Sequence, residues 1–564
     1  MGDVGYESFK NCANKNTPKY IYEQASQELS REEILFAIEN GKHGVAPGIS
    51  GFSREFYQKF APNLIDFIMK YIDFSEQNGI LSKQQRVGII TLLPKGTKDK
   101  RALKNWRPIT LLSTLYKIIS GAIGNRFKKI LPYIIHQDQK GFVDGRQISD
   151  VTRLLFDTIT DAYSERGKKG IIMSIDFEKA FDSVSFSFIE RVIESAGFPE
   201  KLKQWVSILL NDFNSHVNHA GNLLPQINLG RGARQGDPIA SILFVLSIEI
   251  LLTSIRTNEQ ITPYKFSKNF NEAKIESILE AFADDVNLIM PRSERTLREV
   301  ILTLEKFETL SGLRVNKDKT QVLRIGRDAT SDPILCPDLG LKWVSKLKIL
   351  GIFLSANPSE MEENLKDKIK EISDLLGKWT FRNMTVYGRI QIVKSLALSK
   401  VTHLIQVIPN PSQTLIFDLQ RIINNFVWKG SQQKKIVVRE EYAQLPHNKG
   451  GLSIPNLQCF WNSLKMSWLP KLFQSPDDTT WKMLCLSRLS TSLKIPNLSP
   501  VRLASVGPDE IAAAAKSLSN QFWKGLFLKL PSVESAFFSK STRIVGERNI
   551  WDTGDISDNG KPLN

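Results

Sequence analysis

AFADDVNLIM, residues 281–290, sets two adjacent carboxylates, Asp284 and Asp285, inside an otherwise apolar run of β-like composition. An uncompensated carboxylate pair beside buried strands is costly, so it calls for a cation. Taken alone, neighbouring aspartates are most often the tip of a solvated turn. Upstream, GIIMSIDFEKAFDSV (170–184) repeats the arrangement, with an apolar run that ends on Asp176 and a helix-like stretch after it. Asp176 by itself reads as a helix N-cap. Three acidic side chains at two strand ends together predict a divalent-metal site.

Between these blocks lies GRGARQGDPIASILFVLSIEILL (230–252), where three glycines and Gln235 precede Asp237 and Pro238. Asp-Pro ahead of an apolar run is a helix start, and the glycine-rich loop, Gly236 included, lets backbone come close to a nucleotide. Taken together, the three blocks resemble the palm of a reverse transcriptase from a non-LTR (long interspersed element) retrotransposon. SIDFEKAFDSV resembles the first palm motif, RGARQGDP the template and nucleotide loop, and AFADDVNLI the Asp-Asp hairpin, in the family's order. The resemblance runs from about residue 30 to about residue 460.

Composition agrees. The 564 residues are enough for several subdomains with large cores, and the formal charge of +16 favours polyanion partners over acidic small molecules. Charge alone fits a ribosomal or membrane-surface protein equally well. The four cysteines, Cys12, Cys336, Cys459 and Cys485, show no CxxC spacing, so neither a disulfide framework nor a zinc ribbon is supported, and an intracellular protein, cytoplasmic or nuclear, is expected. MGDVGYESFKNC at the N-terminus has no apolar core and does not read as a secretory signal. The apolar run Ile239–Ile255 is short, carries Glu249 and opens at a cap; it reads as a buried helix, and no membrane partner is expected.

Along the chain, residues 29–60 read as a capped helix, a Gly/Pro loop and a second amphipathic helix, resembling the extension before the fingers. The family's loop usually carries an aspartate where this chain has Ser50. Residues 86–112 read as two strands around a basic turn. There the resemblance places Lys95 and Arg107 against the incoming triphosphate, Arg107 foremost because a guanidinium binds phosphate oxygens in a bidentate way. Lys98 and Lys100 read as solvated charge. QKGFVDGRQISD (139–150) resembles a fingers-to-palm segment, with Arg146 assigned to template backbone. His216 and His219, with no cysteine nearby, do not suggest a metal site.

Further on, ETLSGLRVNKDKTQVL (308–323) resembles the next palm motif, with Lys319 either the proton donor to departing pyrophosphate or a surface lysine. LKILGIFLS (347–355) resembles the primer-gripping hairpin, where Gly351 permits close backbone approach. Three amphipathic helix patterns, roughly 364–379, 384–408 and 413–428, resemble the thumb. Arg382, Arg389, Lys394 and Lys400 there either track a duplex or form the solvated face. Residues 461–564 contain tryptophans and helical patterns, but no acidic cluster of ribonuclease H type.

The resemblance implies an α+β right-hand polymerase: N-terminal extension 1–60, fingers 61–170, palm 171–360, thumb 361–460, and a C-terminal region 461–564 of unknown role. It implies an RNA-directed DNA polymerase that takes an RNA template, a DNA primer and deoxynucleoside triphosphates. Two Mg2+ ions on Asp176, Asp284 and Asp285 would be its cofactors, and Phe181 the ring beneath the sugar. Two alternatives stand beside it: a catalytically silent RNA-binding relic of a retroelement, and a group II intron maturase-like protein.

Overall fold

Five strands organise the chain: β1 (Gly170–Ile175), β2 (Leu279–Phe282), β3 (Asp285–Pro291), β4 (Gln321–Ile325) and β5 (Lys342–Val344), in the spatial order β5-β4-β1-β3-β2. Neighbours are antiparallel except β4 and β5. The computed structural model describes residues 4–529, apart from 97–98, 233, 328, 429–437, 475, 477–478 and 519. Lys98 of the basic turn, and the chain beyond 529, therefore lie outside the described residues.

Successive strand residues point to opposite faces, and here each face meets its own core. Ile171, Met173 and Ile175 of β1, with Val286, Leu288 and Met290 of β3, face one core; Ile172, Ile289 and Leu323 face the other. Strands covered on both sides need near-continuous apolar sequence, which is why GIIMSI and VNLIM are apolar but for Ser174 and Asn287.

The first core is closed by helices including Thr114–Ile134, Phe186–Ala196, Ala240–Thr257 and Glu294–Ser311. Ala240–Thr257 is long and apolar enough to cross a membrane by length and composition, yet most of it is buried within the fold, as expected of a core helix. Just ahead of it the Asp237 carboxylate accepts from the Ile239 N–H at 3.2 Å, a turn bond that leads the chain into the helix, whose N-cap, Ile239, has no side-chain cap.

The second core holds the helix Ile148–Ser164, the hairpin β6 (Lys346–Ile349) and β7 (Ile352–Ser355), and the helices that follow. The expected helices at 364–379 and 413–428 are found as Glu363–Trp379 and Gln413–Trp428. The middle one is interrupted: Val386–Ile392 leads into a π-turn, Val393–Ala397, before Ser399–Val407. Residues 457–527 join this same core through Trp468, Trp481 and Trp523. Asp157, wholly buried, ties them to the helix Ile148–Ser164 by accepting from Arg153, Arg488, Asn520 and Trp523.

A second sheet pairs Val87–Pro94 antiparallel with Trp106–Leu111 and parallel with Asn214–His219. The chain is thus a mixed helix-and-sheet protein of α+β type.

Candidate active site

The register of β1 and β3 brings the acidic residues together. Ile175 pairs with Val286, so Asp176, just past β1, and Asp285, at the head of β3, lie side by side at one end of the sheet. Asp284 precedes Asp285 in the two-residue turn between β2 and β3, where Phe282 pairs with Asp285. The first turn residue, Ala283, has φ 56, a left-handed conformation that needs outside support in a residue with a Cβ.

Asp176 is held from below. Its N–H donates to the Thr320 hydroxyl at 3.3 Å, and its carbonyl accepts from the Asn316 N–H at 2.8 Å. Lys319, from the same loop, reaches its carboxylate, with Nζ 3.2 Å from Oδ2. Lys319 is thus an exposed lysine that pairs with Asp176.

The site carries excess negative charge. Burial, then the charges of Asp284 and Asp176, raise the Asp285 carboxyl to about 6; burial, with Asp176 adding to it, raises Asp284 as well. Such carboxylates fit a hard divalent cation, although among the described residues no three His, Cys, Asp or Glu side chains form a ready-made ion cage.

Around them stand the other sequence candidates. Phe181 stacks on Phe244 with ring centroids 4.5 Å apart, and Phe142 meets it edge-on at 6.4 Å. The neighbouring Asp182 is raised by burial, an effect opposed by the charges of Lys179 and Lys95. Arg107 is exposed on its strand, paired with Leu93 two residues before Lys95. The Gln235 carbonyl accepts from the Thr110 N–H at 2.9 Å. Gly236 has φ 117, and a Cβ there would lie 2.6 Å from the Thr110 oxygen, so only glycine lets the loop dock on that strand.

Two sequence assignments need correction. Arg146 does not present its guanidinium outward: its Nη atoms donate to the carbonyls of Ile135, His136 and Gln139 at 2.8, 2.5 and 2.6 Å. Arg389 is 6% exposed and donates to the Phe426 carbonyl at 3.1 Å, packed within the helices rather than facing a ligand. Both errors share a cause, since a local pattern cannot tell a guanidinium that meets carbonyls from one that meets phosphates. Lys394, on the π-turn, is exposed. Gly351 (φ 84) and Leu350 (φ 48) form the two-residue turn of the β6–β7 hairpin, whose Leu350 carbonyl lies 3.1 Å from His403 Nε2.

Sequence reasoning passed over Gln139, wholly buried beneath the Asp284 turn, with Oε1 accepting from the Ala283 N–H at 2.9 Å. Its only sequence signal is its place in the segment QKGFVDGR.

Residues 93–354 match the family model described as reverse transcriptase (RNA-dependent DNA polymerase). The chain is similar to the transposon TX1 uncharacterized 149 kDa protein of Xenopus laevis, 27% identical over 82% of this chain and 35% of that protein. It is similar to the Pol polyprotein of the type-1 retrotransposable element R2 of Popillia japonica, 28% identical over 52% of this chain and 39% of the relative. It also matches the polyprotein of the type-2 element R2DM of Drosophila melanogaster, 24% identical over 76% of this chain and 39% of the relative. Residues 93–354 thus match a reverse transcriptase domain, and the relatives the chain is similar to are proteins of transposable elements. It spans between a third and two fifths of the length of these relatives.

Proposed function

We propose that this chain is an RNA-directed DNA polymerase that adds deoxynucleotides to a primer 3′-hydroxyl on an RNA template, acting inside the cell in the nucleus or cytoplasm. The observation that carries the reading is the convergence of Asp176 with Asp284 and Asp285 at one end of adjacent strands, inside a segment that matches the reverse transcriptase family. The β1–β5 sheet with its helices serves as palm (171–360), residues 61–170 as fingers and residues 361–460 as thumb. The presence of all three aspartates speaks against a silent relic, and the retrotransposon relatives speak against a maturase.

Asp176, Asp284 and Asp285 would hold two Mg2+ ions. When bound, these lower the pKa of the primer hydroxyl and neutralise charge on the triphosphate and the departing pyrophosphate. The chain's own residues position and discriminate. Arg107 and Lys95 draw in the triphosphate, Arg107 through paired N–H donors on phosphate oxygens. The Phe181 ring, backed by Phe244, fills the space beneath the sugar C2′ and excludes a 2′-hydroxyl. Lys319, whose ammonium already lies at Asp176, is placed to hand a proton to pyrophosphate as it leaves. The loop at Gln235 and Gly236 presents backbone to the base pair being formed. Gly351 and Lys394 lie along the path of the primer–template duplex.

Incubation of the purified chain with a DNA primer annealed to an RNA template, Mg2+ and the four deoxynucleotides tests this. Template-directed extension is the expected result; binding of template-primer without any extension would favour the silent relic.

A further inference from the structure

The turn carrying Asp284 and Asp285 is gripped from outside the sheet by residues 138–141. Lys140 N–H donates to the Ala281 carbonyl at 2.8 Å, and Ala281 N–H donates to the Asp138 carbonyl at 2.9 Å, so this segment is joined to the outer edge of β2 by one isolated parallel bridge, Gln139 opposite Ala281. Where that pairing stops, the Gln139 side chain takes over. Its Oε1 accepts from Ala283 N–H (2.9 Å) and Gly141 N–H (2.8 Å), while its Nε2 donates to the Ala283 carbonyl (3.3 Å). Both backbone groups of the left-handed residue Ala283 thus meet one amide. The approach is close: a Cβ on Gly141 would collide with the Ala283 backbone nitrogen.

Gln139 is itself held. Arg146 donates to its carbonyl at 2.6 Å and to the carbonyls of Ile135 and His136 behind it. The same segment continues to Phe142, whose ring meets Phe181 edge-on.

We infer that Gln139 is a positioning residue for the Asp284–Asp285 turn, and that Arg146 acts through it by fixing its main chain. An uncharged amide suits the place because it accepts and donates at once. A carboxylate would accept but not donate, and would add negative charge beside two aspartates that already repel each other. An apolar side chain would leave buried Ala283 groups unpaired and the turn free to open under that repulsion. Placement matters because small displacements of metal-holding carboxylates are felt strongly in rate. The inference rests on the reading of Asp284 and Asp285 as metal-holding carboxylates.

Three variants of the full chain test it: Gln139→Leu, Gln139→Glu and Arg146→Lys. Hydrogen exchange of the metal-free protein reads the grip directly, and single-nucleotide addition over a Mg2+ titration reads its consequence. Gln139→Leu is expected to speed exchange at Ala283 and Gly141 by about tenfold or more. It should raise the Mg2+ concentration for half-maximal rate several-fold and cut the rate about 10- to 100-fold, with template-primer Kd within about twofold. Gln139→Glu keeps the acceptor, so exchange at Ala283 stays slow. Its rate relative to the unmodified chain falls at pH 8 and recovers towards pH 6, where a protonated carboxyl donates as the amide did. Arg146→Lys shifts the Mg2+ dependence in the same direction as Gln139→Leu, by less.

A folded Gln139→Leu variant with unchanged exchange at Ala283, or with its defect confined to template-primer affinity, overturns the inference. Where that variant does not fold, the same readings on Gln139→Glu and Arg146→Lys decide: a pH-independent Glu variant together with an unshifted Mg2+ dependence in the Lys variant overturns it. If the unmodified chain adds no nucleotide, the polymerase reading fails, while the exchange measurements still judge the grip.

Discussion

Phe181 and Phe244 stack with ring centroids 4.5 Å apart and planes 24° from parallel. Phe244 belongs to the buried helix Ala240–Thr257, so the ring proposed to read the sugar rests against a core residue and cannot retreat. Steric discrimination of a single hydroxyl needs such a backing, because a wall that yields rejects little. Phe181→Ala should therefore raise ribonucleotide relative to deoxynucleotide incorporation by about tenfold or more, while deoxynucleotide addition is partly spared. Single-nucleotide kinetics measure the ratio, and an unchanged ratio removes Phe181 from the site.

Arg107→Lys separates a shaped phosphate contact from general basicity. The charge is kept and the side chain is exposed, so template-primer affinity should hardly move. Loss of the bidentate grip should raise the nucleotide KM by about tenfold, an effect of one charge-assisted hydrogen bond. Weaker template-primer binding with an unchanged KM would mark Arg107 as a backbone contact instead.

Glu280 on β2 supplies a pH test. It is 4% exposed; its Oε2 has no hydrogen-bond partner among the described residues and faces Lys140 Nζ across 3.9 Å. Burial foremost, helped by Asp138 and Asp150 and opposed by Lys140, raises its carboxyl from 4.5 to about 8. Because the folded value lies above the unfolded one, the folded chain binds this proton more tightly. The resulting stability is complete below pH 4.5 and is lost as pH rises through 8. Between pH 5 and 8.5 the unmodified chain should therefore lose up to about 4 kcal/mol more than Glu280→Gln in urea unfolding. Parallel pH profiles for the two proteins would contradict this.

How far the sequence reached follows the range of each interaction. The strand, turn and strand around Asp284 and the helices at 364–379 and 413–428 were legible because periodicity and turn chemistry are local. The meeting of Asp176 with Asp285 was legible only through motif order, since register between strands more than a hundred residues apart leaves no local trace. Nothing local showed that Arg146 and Arg389 turn inward to carbonyls, or that Gln139 grips a turn 144 residues away. The π-turn at Val393–Ala397 also escaped, because one inserted residue leaves an amphipathic pattern nearly intact. The tryptophans of the C-terminal region gave no sign that they complete the second core.

That last point carries its own test. Asp157 is the shared acceptor for Arg153 at 3.1 Å, Arg488 at 3.2 Å and Asn520 at 2.6 Å. Asp157→Ala leaves two buried guanidinium groups without their carboxylate, and should cost about 3–5 kcal/mol in unfolding free energy. Stability equal to that of the unmodified chain would mean that residues 480–527 do not depend on this junction.

The central claim is that Asp284, with Asp176 and Asp285, forms the metal-holding centre of a polymerase. It is tested most directly by single-nucleotide addition to a DNA primer on an RNA template with Asp284→Asn, alongside template-primer binding. Removing a ligand from such a site costs several kcal/mol of transition-state stabilisation, a fall in rate of about a thousandfold or more. The account predicts that loss with template-primer Kd within about twofold of the unmodified chain; addition by Asp284→Asn at the unmodified rate in Mg2+ would contradict it.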